Sequence, residues 1–230
     1  MNIQILQLID GAKAARGLTV IIDVFRAFSV EAYLFAQGAD KIIPVGDVAL
    51  AYRLKQENPQ FALAGERHGK ILQNFDMGNS PSQNISFDVK GKTVVHTTSA
   101  GTQGIANAIY ADEILGGSLV NARATAEYIR KSGAQDVSLV CMGLGALSPT
   151  DEDTLCANYI KSLLLGTSMQ IAKEIEQLKC TSGAKFFDPK QNDVFPTKDF
   201  AMCTDVNRFD FVLKLEKLQS GLPYMTRLYL

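Results

Sequence analysis

Apolar positions along this chain follow two alternating patterns. Short, nearly continuous apolar runs of strand length are followed by stretches with apolar residues every three or four positions. The runs predict strands at 2–8, 18–22, 41–45, 61–64, 92–97, 112–117 and 136–141. The helical patterns predict helices at about 26–37, 47–57, 100–109, 121–131 and 151–165. Leu18-Thr19-Val20-Ile21-Ile22 has no strongly polar position, as a strand buried on both faces requires. Gly38 stands where a left-handed residue would close the first long helix. Alternation of this kind predicts an α/β fold with a mostly parallel sheet and helices on both of its faces.

Two stretches break the rhythm. Residues 65–84 are rich in Gly, Asn, Asp, Ser and Pro and hold few core residues; a long irregular loop in a compact domain is usually functional or disordered. Residues 180–207 are also irregular, with Pro189 and Pro196. The tail, 209–229, reads as a hairpin with Gly221-Leu222-Pro223 near its turn, and its antiparallel strands would make the sheet mixed. No repeat or low-complexity linker divides the chain. The expectation is one domain over 1–230, with the irregular segment and the hairpin packed on the same sheet.

Composition narrows the partners. The 230 residues carry 23 basic and 24 acidic side chains, a net charge of −1, and no long basic tract. That argues for a small-molecule partner and against nucleic acid. Cys141, Cys156, Cys180 and Cys203 match no C-x-x-C pair and no zinc pattern, so reduced thiols are expected. Met1-Asn2-Ile3-Gln4-Ile5-Leu6 runs straight into a strand with no basic leader, and no apolar run approaches the ~18 residues that span a bilayer. These features predict a cytoplasmic protein with no membrane partner. A homodimer is the common default for enzymes of this size.

Five segments carry candidate chemistry, each with an ordinary structural alternative. Asp23 ends the run 18–22, where open α/β sheets place ligands, and it can hold a divalent cation or attack phosphorus. Arg26 can fork onto a phosphate or sulfonate; alternatively Asp23 caps the next helix and pairs with Arg26. Gly65-Glu66-Arg67-His68-Gly69-Lys70 offers Glu66 as metal ligand or base and Arg67 for an anion, or is a charged surface turn. In Phe75-Asp76-Met77-Gly78-Asn79-Ser80-Pro81, Ser80 before Pro81 signals a helix start suited to phosphate, with Asp76 placed to ligate metal. Thr97-Thr98-Ser99-Ala100-Gly101-Thr102-Gln103-Gly104 is a hydroxyl-rich strand-to-helix turn that can cradle an anion or simply cap a helix. Asp151-Glu152-Asp153 opens a helix; one or two of these acids can bind Mg²⁺, while Thr150 and Asp153 also resemble a capping box.

His96, in a strand run, reads as a core or supporting residue. His68 is better placed to protonate a leaving group. No serine sits in a G-x-S-x-G elbow. The acidic helix start before Cys156 would raise its thiol pKa, against a cysteine phosphatase.

Taken in order, Ile22-Asp23-Val24-Phe25-Arg26-Ala27, Gly65-Glu66-Arg67, Phe75 to Pro81, Thr97 to Gly104, Asn121-Ala122 and Asp151 to Ala157 resemble the 2-phosphosulfolactate phosphatase family. The resemblance covers about 18–165, with GER and FDxGNSP its most specific part. It implies a three-layer α/β/α fold with a mixed, largely parallel sheet. It also implies a Mg²⁺-dependent hydrolase that takes 2-phospho-3-sulfolactate, a small anionic phosphate ester, to 3-sulfolactate and phosphate. In methanogens that step belongs to coenzyme M biosynthesis. Ser99-Ala100, Asn158 and His68 depart from the family pattern and bear on substrate choice.

On this reading Mg²⁺ sits on Asp23 with one or more of Glu66, Asp76, Glu152 and Asp153. Asp23, Arg26, Glu66 and Asp76 are the expected catalytic residues. Arg26, Arg67, Asn79, Ser80, Thr98, Ser99, Gly101 and Thr102 are expected to bind substrate. Two rivals are kept. A haloacid-dehalogenase-type phosphatase would need an acid two residues after its nucleophile, where Phe25 stands. An anion-binding module could keep the loops without turnover.

Overall fold

The computed structural model describes residues 1–219 and 221–230. Among these residues ten strands form one mixed sheet in the order β1-β8-β2-β7-β9-β10-β3-β6-β4-β5, the last being the two-residue strand Lys70–Ile71. β1 (Asn2–Gln7), β8 (Asp136–Cys141), β2 (Gly17–Ile22) and β7 (Ala111–Gly117) run parallel. β3 (Lys41–Pro44), β6 (Thr93–Thr97) and β4 (Ala62–Arg67) form a second parallel set. The expected hairpin, β9 (Phe211–Lys217) with β10 (Pro223–Tyr229), joins the two sets by antiparallel pairing on both sides. Ser220, within the range expected for it, lies outside the described residues.

The apolar run of β2 lies between β7 and β8 and is buried, as its sequence requires. Side chains alternate between the sheet's faces. On one face Ile21, Val140, Ile42 and Val94 join Phe28 and Leu34 of α2 (Ala27–Ala36) and Ile105 of α5 (Gly101–Asn107) in a single cluster. On the other face Val20 and Leu139 pack on Ile129 of α6 (Ala122–Ser132) and Ile160 of α7 (Asp151–Leu165). There Ile43 and Val95 pack on Leu54 of α3 (Val48–Glu57). This is the expected three-layer arrangement.

The two parallel sets run in opposite senses, so in a flat sheet their carboxyl ends would lie on opposite edges. A right-handed twist of roughly 20–25° per step, over the steps from β2 through β7, β9, β10 and β3 to β6, turns one set against the other by roughly 100–125°. With both sets packed on α2, the ends of β2, β4 and β6 reach one another.

Several elements differ from expectation. Leu8–Ala14 and Ile171–Leu178 are helices that no pattern had marked. β4 continues to Arg67, so Glu66 lies in a strand rather than a loop; pairing with β6 reaches Gly65, and antiparallel pairing of Glu66 with Ile71 and of Arg67 with Lys70 carries it on. The irregular stretch after 180 contains α9 (Thr197–Cys203), held by Asp199, which is fully buried. The cysteines are free; Cys141, Cys156 and Cys203 are buried and Cys180 is exposed. Among the described residues no helix is long and apolar enough to cross a membrane.

Candidate active site

The turn after β2 fixes Asp23. Its Oδ1 accepts from Ala27 N at 3.1 Å, which caps α2, and its Oδ2 accepts from Gly101 N at 2.8 Å, at the start of α5. Position 101 must be glycine: a Cβ there would lie 2.8 Å from Ala27 Cβ and 3.0 Å from Asp23 Oδ2. The capping alternative for Asp23 therefore holds, but Arg26 is not its partner.

Glu66 is held in the same way. Its Oε1 accepts from Ser99 N at 2.7 Å and its Oε2 from Gly69 N at 2.6 Å. The strand-to-helix turn expected to bind an anion thus already binds two, both from this chain. Thr98 and Thr102 complete it by bonding each other's backbone N–H, at 3.0 and 3.2 Å, and both are buried. Their hydroxyls do not line the cavity described below. Ser99 does, and its Oγ is buried without a hydrogen-bond partner.

The three acids at the start of α7 divide. Asp151 is exposed. Asp153 turns inward, accepting from Val24 N and Gly143 N, each at 2.8 Å, and so ties the loop after β2 to the loop after β8. The capping box expected with Thr150 does not form, since Asp153 is occupied elsewhere and Thr150 Oγ1 is buried unpartnered. Glu152 is 3 % exposed, lines the cavity, and leaves Oε2 without a partner.

These groups surround a cavity of about 470 Å³. Asp23, Glu66, Glu152 and Ser99 lie along it, with apolar lining from Phe25, Leu144 and Phe195. Burial raises the Asp23 carboxyl to about 6; the charges of Glu66 and Glu152 add to the rise, and the N–H bonds from Ala27 and Gly101 oppose it. Asp153 is raised well above the usual range by burial, then by Glu152 and Asp23. Cys156 is pushed up by burial and by Asp153, as the acidic helix start predicts.

The arginines behave differently from expectation. Arg26 is 3 % exposed and borders the cavity, but its Nη1 donates to Asp199 Oδ2 at 2.7 Å and to Val194 O at 2.9 Å. Its charge is matched within the protein. Arg67 donates to Glu66 O, Gly46 O and Thr97 Oγ1 and does not line the cavity, because its guanidinium braces the backbone around β4. Ser80 caps its short helix, as Ser80-Pro81 predicts, and also donates to Asp199 Oδ1 at 2.9 Å. Asp76 stands apart from the other acids: its Oδ2 accepts from Leu63 N at 2.8 Å and meets Lys55 at 3.5 Å, with the side chain 31 % exposed. Asn79 borders the cavity, its Oδ1 hydrogen-bonded to His96 Nε2 at 3.3 Å. His96 Nδ1 in turn meets buried Glu31 at 2.9 Å.

Sequence reasoning missed Asp199, Lys185 and the Glu31–His96–Asn79 chain. His96 in a β-run was the one local signal of that chain. Asp199 and Lys185 lie in a stretch with no periodicity.

Among the described residues no three acidic, His or Cys side chains converge closely enough to chelate an ion by themselves. Mg²⁺ is ordinarily held by one or two carboxylates, with waters and substrate phosphate filling its shell. An unpartnered Glu152 oxygen on the cavity that Asp23 and Glu66 also line fits that manner of binding.

A family model described as 2-phosphosulpholactate phosphatase matches residues 3–217. A Bacillus subtilis protein named probable 2-phosphosulfolactate phosphatase is 34% identical over 207 residues, 89% of each chain. A relative of the same name from Caldanaerobacter subterraneus is 34% identical, covering 86% of this chain and 87% of its own. One from Thermoplasma volcanium is 29% identical, covering 90% and 94%.

Proposed function

The chain belongs to the 2-phosphosulfolactate phosphatase family, and on that footing we propose that it hydrolyses 2-phospho-3-sulfolactate, or a closely related small phosphomonoester, with Mg²⁺ as cofactor. The observation that carries the reading is the meeting of Asp23, Glu66 and Glu152 on one cavity, with Glu152 Oε2 and Ser99 Oγ unpartnered. Buried polar atoms without partners are costly, and a cation and a phosphoryl group would satisfy both.

Glu152 and Asp23 would hold the ion, with Glu66 beside them. When bound, Mg²⁺ supplies positive charge to the phosphoryl oxygens, which need it most in the transition state. The chain's own residues do the rest. The Gly101 and Ala27 N–H groups fix the Asp23 carboxylate. So fixed, the Asp23 carboxylate is placed to take a proton from the attacking water. The Ser99 hydroxyl donates to a phosphoryl oxygen. Asn79, its oxygen engaged by His96, keeps its amide N–H groups for the substrate. Phe25, Leu144 and Phe195 give the cavity an apolar wall. Water adds to phosphorus, the bond to the C2 oxygen breaks, and that oxygen takes up a proton and leaves as the hydroxyl of 3-sulfolactate.

Phosphate release from 2-phosphosulfolactate, with and without EDTA, beside phospholactate and phosphoglycerate, tests the reading. Turnover that EDTA abolishes and Mg²⁺ restores is the expected result. Turnover of another ester alone would keep the phosphatase and discard this substrate. No turnover of any ester by folded protein would favour the anion-binding module.

A further inference from the structure

The cavity lining carries two chemically unlike sets of groups. Asp23, Glu66 and Glu152 are acidic. The permanent cations among its lining residues are Arg26 and Lys185. Arg26 is neutralised by Asp199 at 2.7 Å. Lys185 takes part in no ion pair among the described residues. Its Nζ lies 5.7 Å from the ring centroid of Phe25, 5.5 Å from that of Phe186 and 5.3 Å from that of Phe195. Phe25 and Phe195 line the cavity themselves. Phe186 contacts the other two rings edge-on, Phe25 at 4.9 Å and Phe195 at 5.8 Å, and the three together form a mount for the ammonium. The turn that carries Lys185 is anchored by Thr197 Oγ1 donating to Phe186 O at 2.7 Å.

We propose that Lys185 binds the substrate's non-reacting sulfonate and so selects a sulfonated phosphoester over its unsulfonated analogue. For its substrate class the inference rests on the phosphatase reading. The reacting phosphoryl group belongs with the acids, where a divalent cation is needed. A sulfonate stays anionic at any physiological pH and is weakly hydrated. An unpaired ammonium on an aromatic wall recognises such a group without a metal. The arginines that sequence reasoning assigned to this task are taken up by the protein itself.

The test compares wild type, Lys185→Met and Lys185→Arg on 2-phosphosulfolactate and on 2-phospholactate, which lacks only the sulfonate. Methionine keeps the apolar contact with the rings and removes the charge. Lys185→Met should raise KM for the sulfonated ester about ten- to a hundredfold, leave phospholactate within about twofold, and be largely rescued by arginine. Equal losses on both esters, or none on either, would overturn the proposal. Calorimetric binding of 3-sulfolactate to wild type and Lys185→Met decides independently of turnover. Binding that requires Lys185 supports the proposal even if no ester is hydrolysed, in which case the phosphatase reading alone fails. Failure of the wild type to bind 3-sulfolactate, or equal binding by the variant, refutes it. A melting curve for each variant establishes that the fold is intact.

Discussion

Two buried aspartates near one another in this fold have opposite surroundings. Asp199, on α9, takes hydrogen bonds from Arg26, Ser80 and both the backbone and hydroxyl of Ser82, at 2.6–3.0 Å; every demand is met and a full positive charge lies against it. Asp23, after β2, takes two backbone N–H bonds, faces Glu66 and Glu152, and is raised to about 6. The first region is a knot that binds α9 to the β2–α2 turn and to the helix start at Ser80. The second is left short of positive charge, and its neighbours Ser99 and Glu152 keep polar atoms unpartnered. Buried polar groups are normally satisfied, and this shortfall is what the proposed cation and phosphoryl group would meet.

The contrast can be broken from either side, and the largest effect is expected at the unsatisfied end. Asp23→Ala should lower kcat/KM about 10²- to 10⁴-fold, as loss of a proton-accepting group does, while the protein still melts cooperatively because repulsion with Glu66 and Glu152 is also removed. Retained turnover would end its role. At the satisfied end, Asp199→Ala strands a buried guanidinium and should cost about 3–5 kcal/mol in denaturant unfolding; a loss under 1 kcal/mol would mean that the knot is not structural.

A subtler expectation concerns pH. The folded value of Asp23, about 6, lies above the ordinary 3.8, so the folded state holds the extra proton between those values. Its contribution to stability is present below about 3.8 and disappears as pH rises through 6. Metal-free wild type should therefore lose up to about 3 kcal/mol more than Asp23→Asn between pH 4 and 7 in urea titrations. Added Mg²⁺ should recover that loss at pH 7 and do little at pH 4. A parallel pH response of the two proteins would contradict the raised carboxyl. The smallest effect is expected at Asp76→Asn, whose half-exposed pairing with Lys55 contributes about 1 kcal/mol or less. A tenfold fall in Mg²⁺ affinity there would return Asp76 to the ligands.

Much of the fold was legible locally. The apolar run 18–22 became the interior strand β2, the tail became a hairpin, and Ser80-Pro81 capped a helix. The site was legible as a set of acids at strand ends, and Asp23, Glu66 and Glu152 do meet. Their partners were not. Arg26 read as an anion binder or as the partner of Asp23, yet its counter-ion is 173 positions away. The 97–102 turn looked open to phosphate, yet Glu66 and Asp23 occupy its N–H groups from 33 and 78 positions away.

By itself the sequence determined the order and type of most elements and placed the reactive side chains at strand and helix ends. Periodicity, caps and turn residues act over a few positions and survive in any surroundings. The tertiary structure decided which of those side chains stay unsatisfied. That outcome depends on long-range pairing through a hairpin that reverses one half of the sheet, and on a twist that brings two sets of strand ends together. Neither effect leaves a mark within the window over which a sequence pattern can be read, which is why Asp199 and Lys185 were found only in the fold.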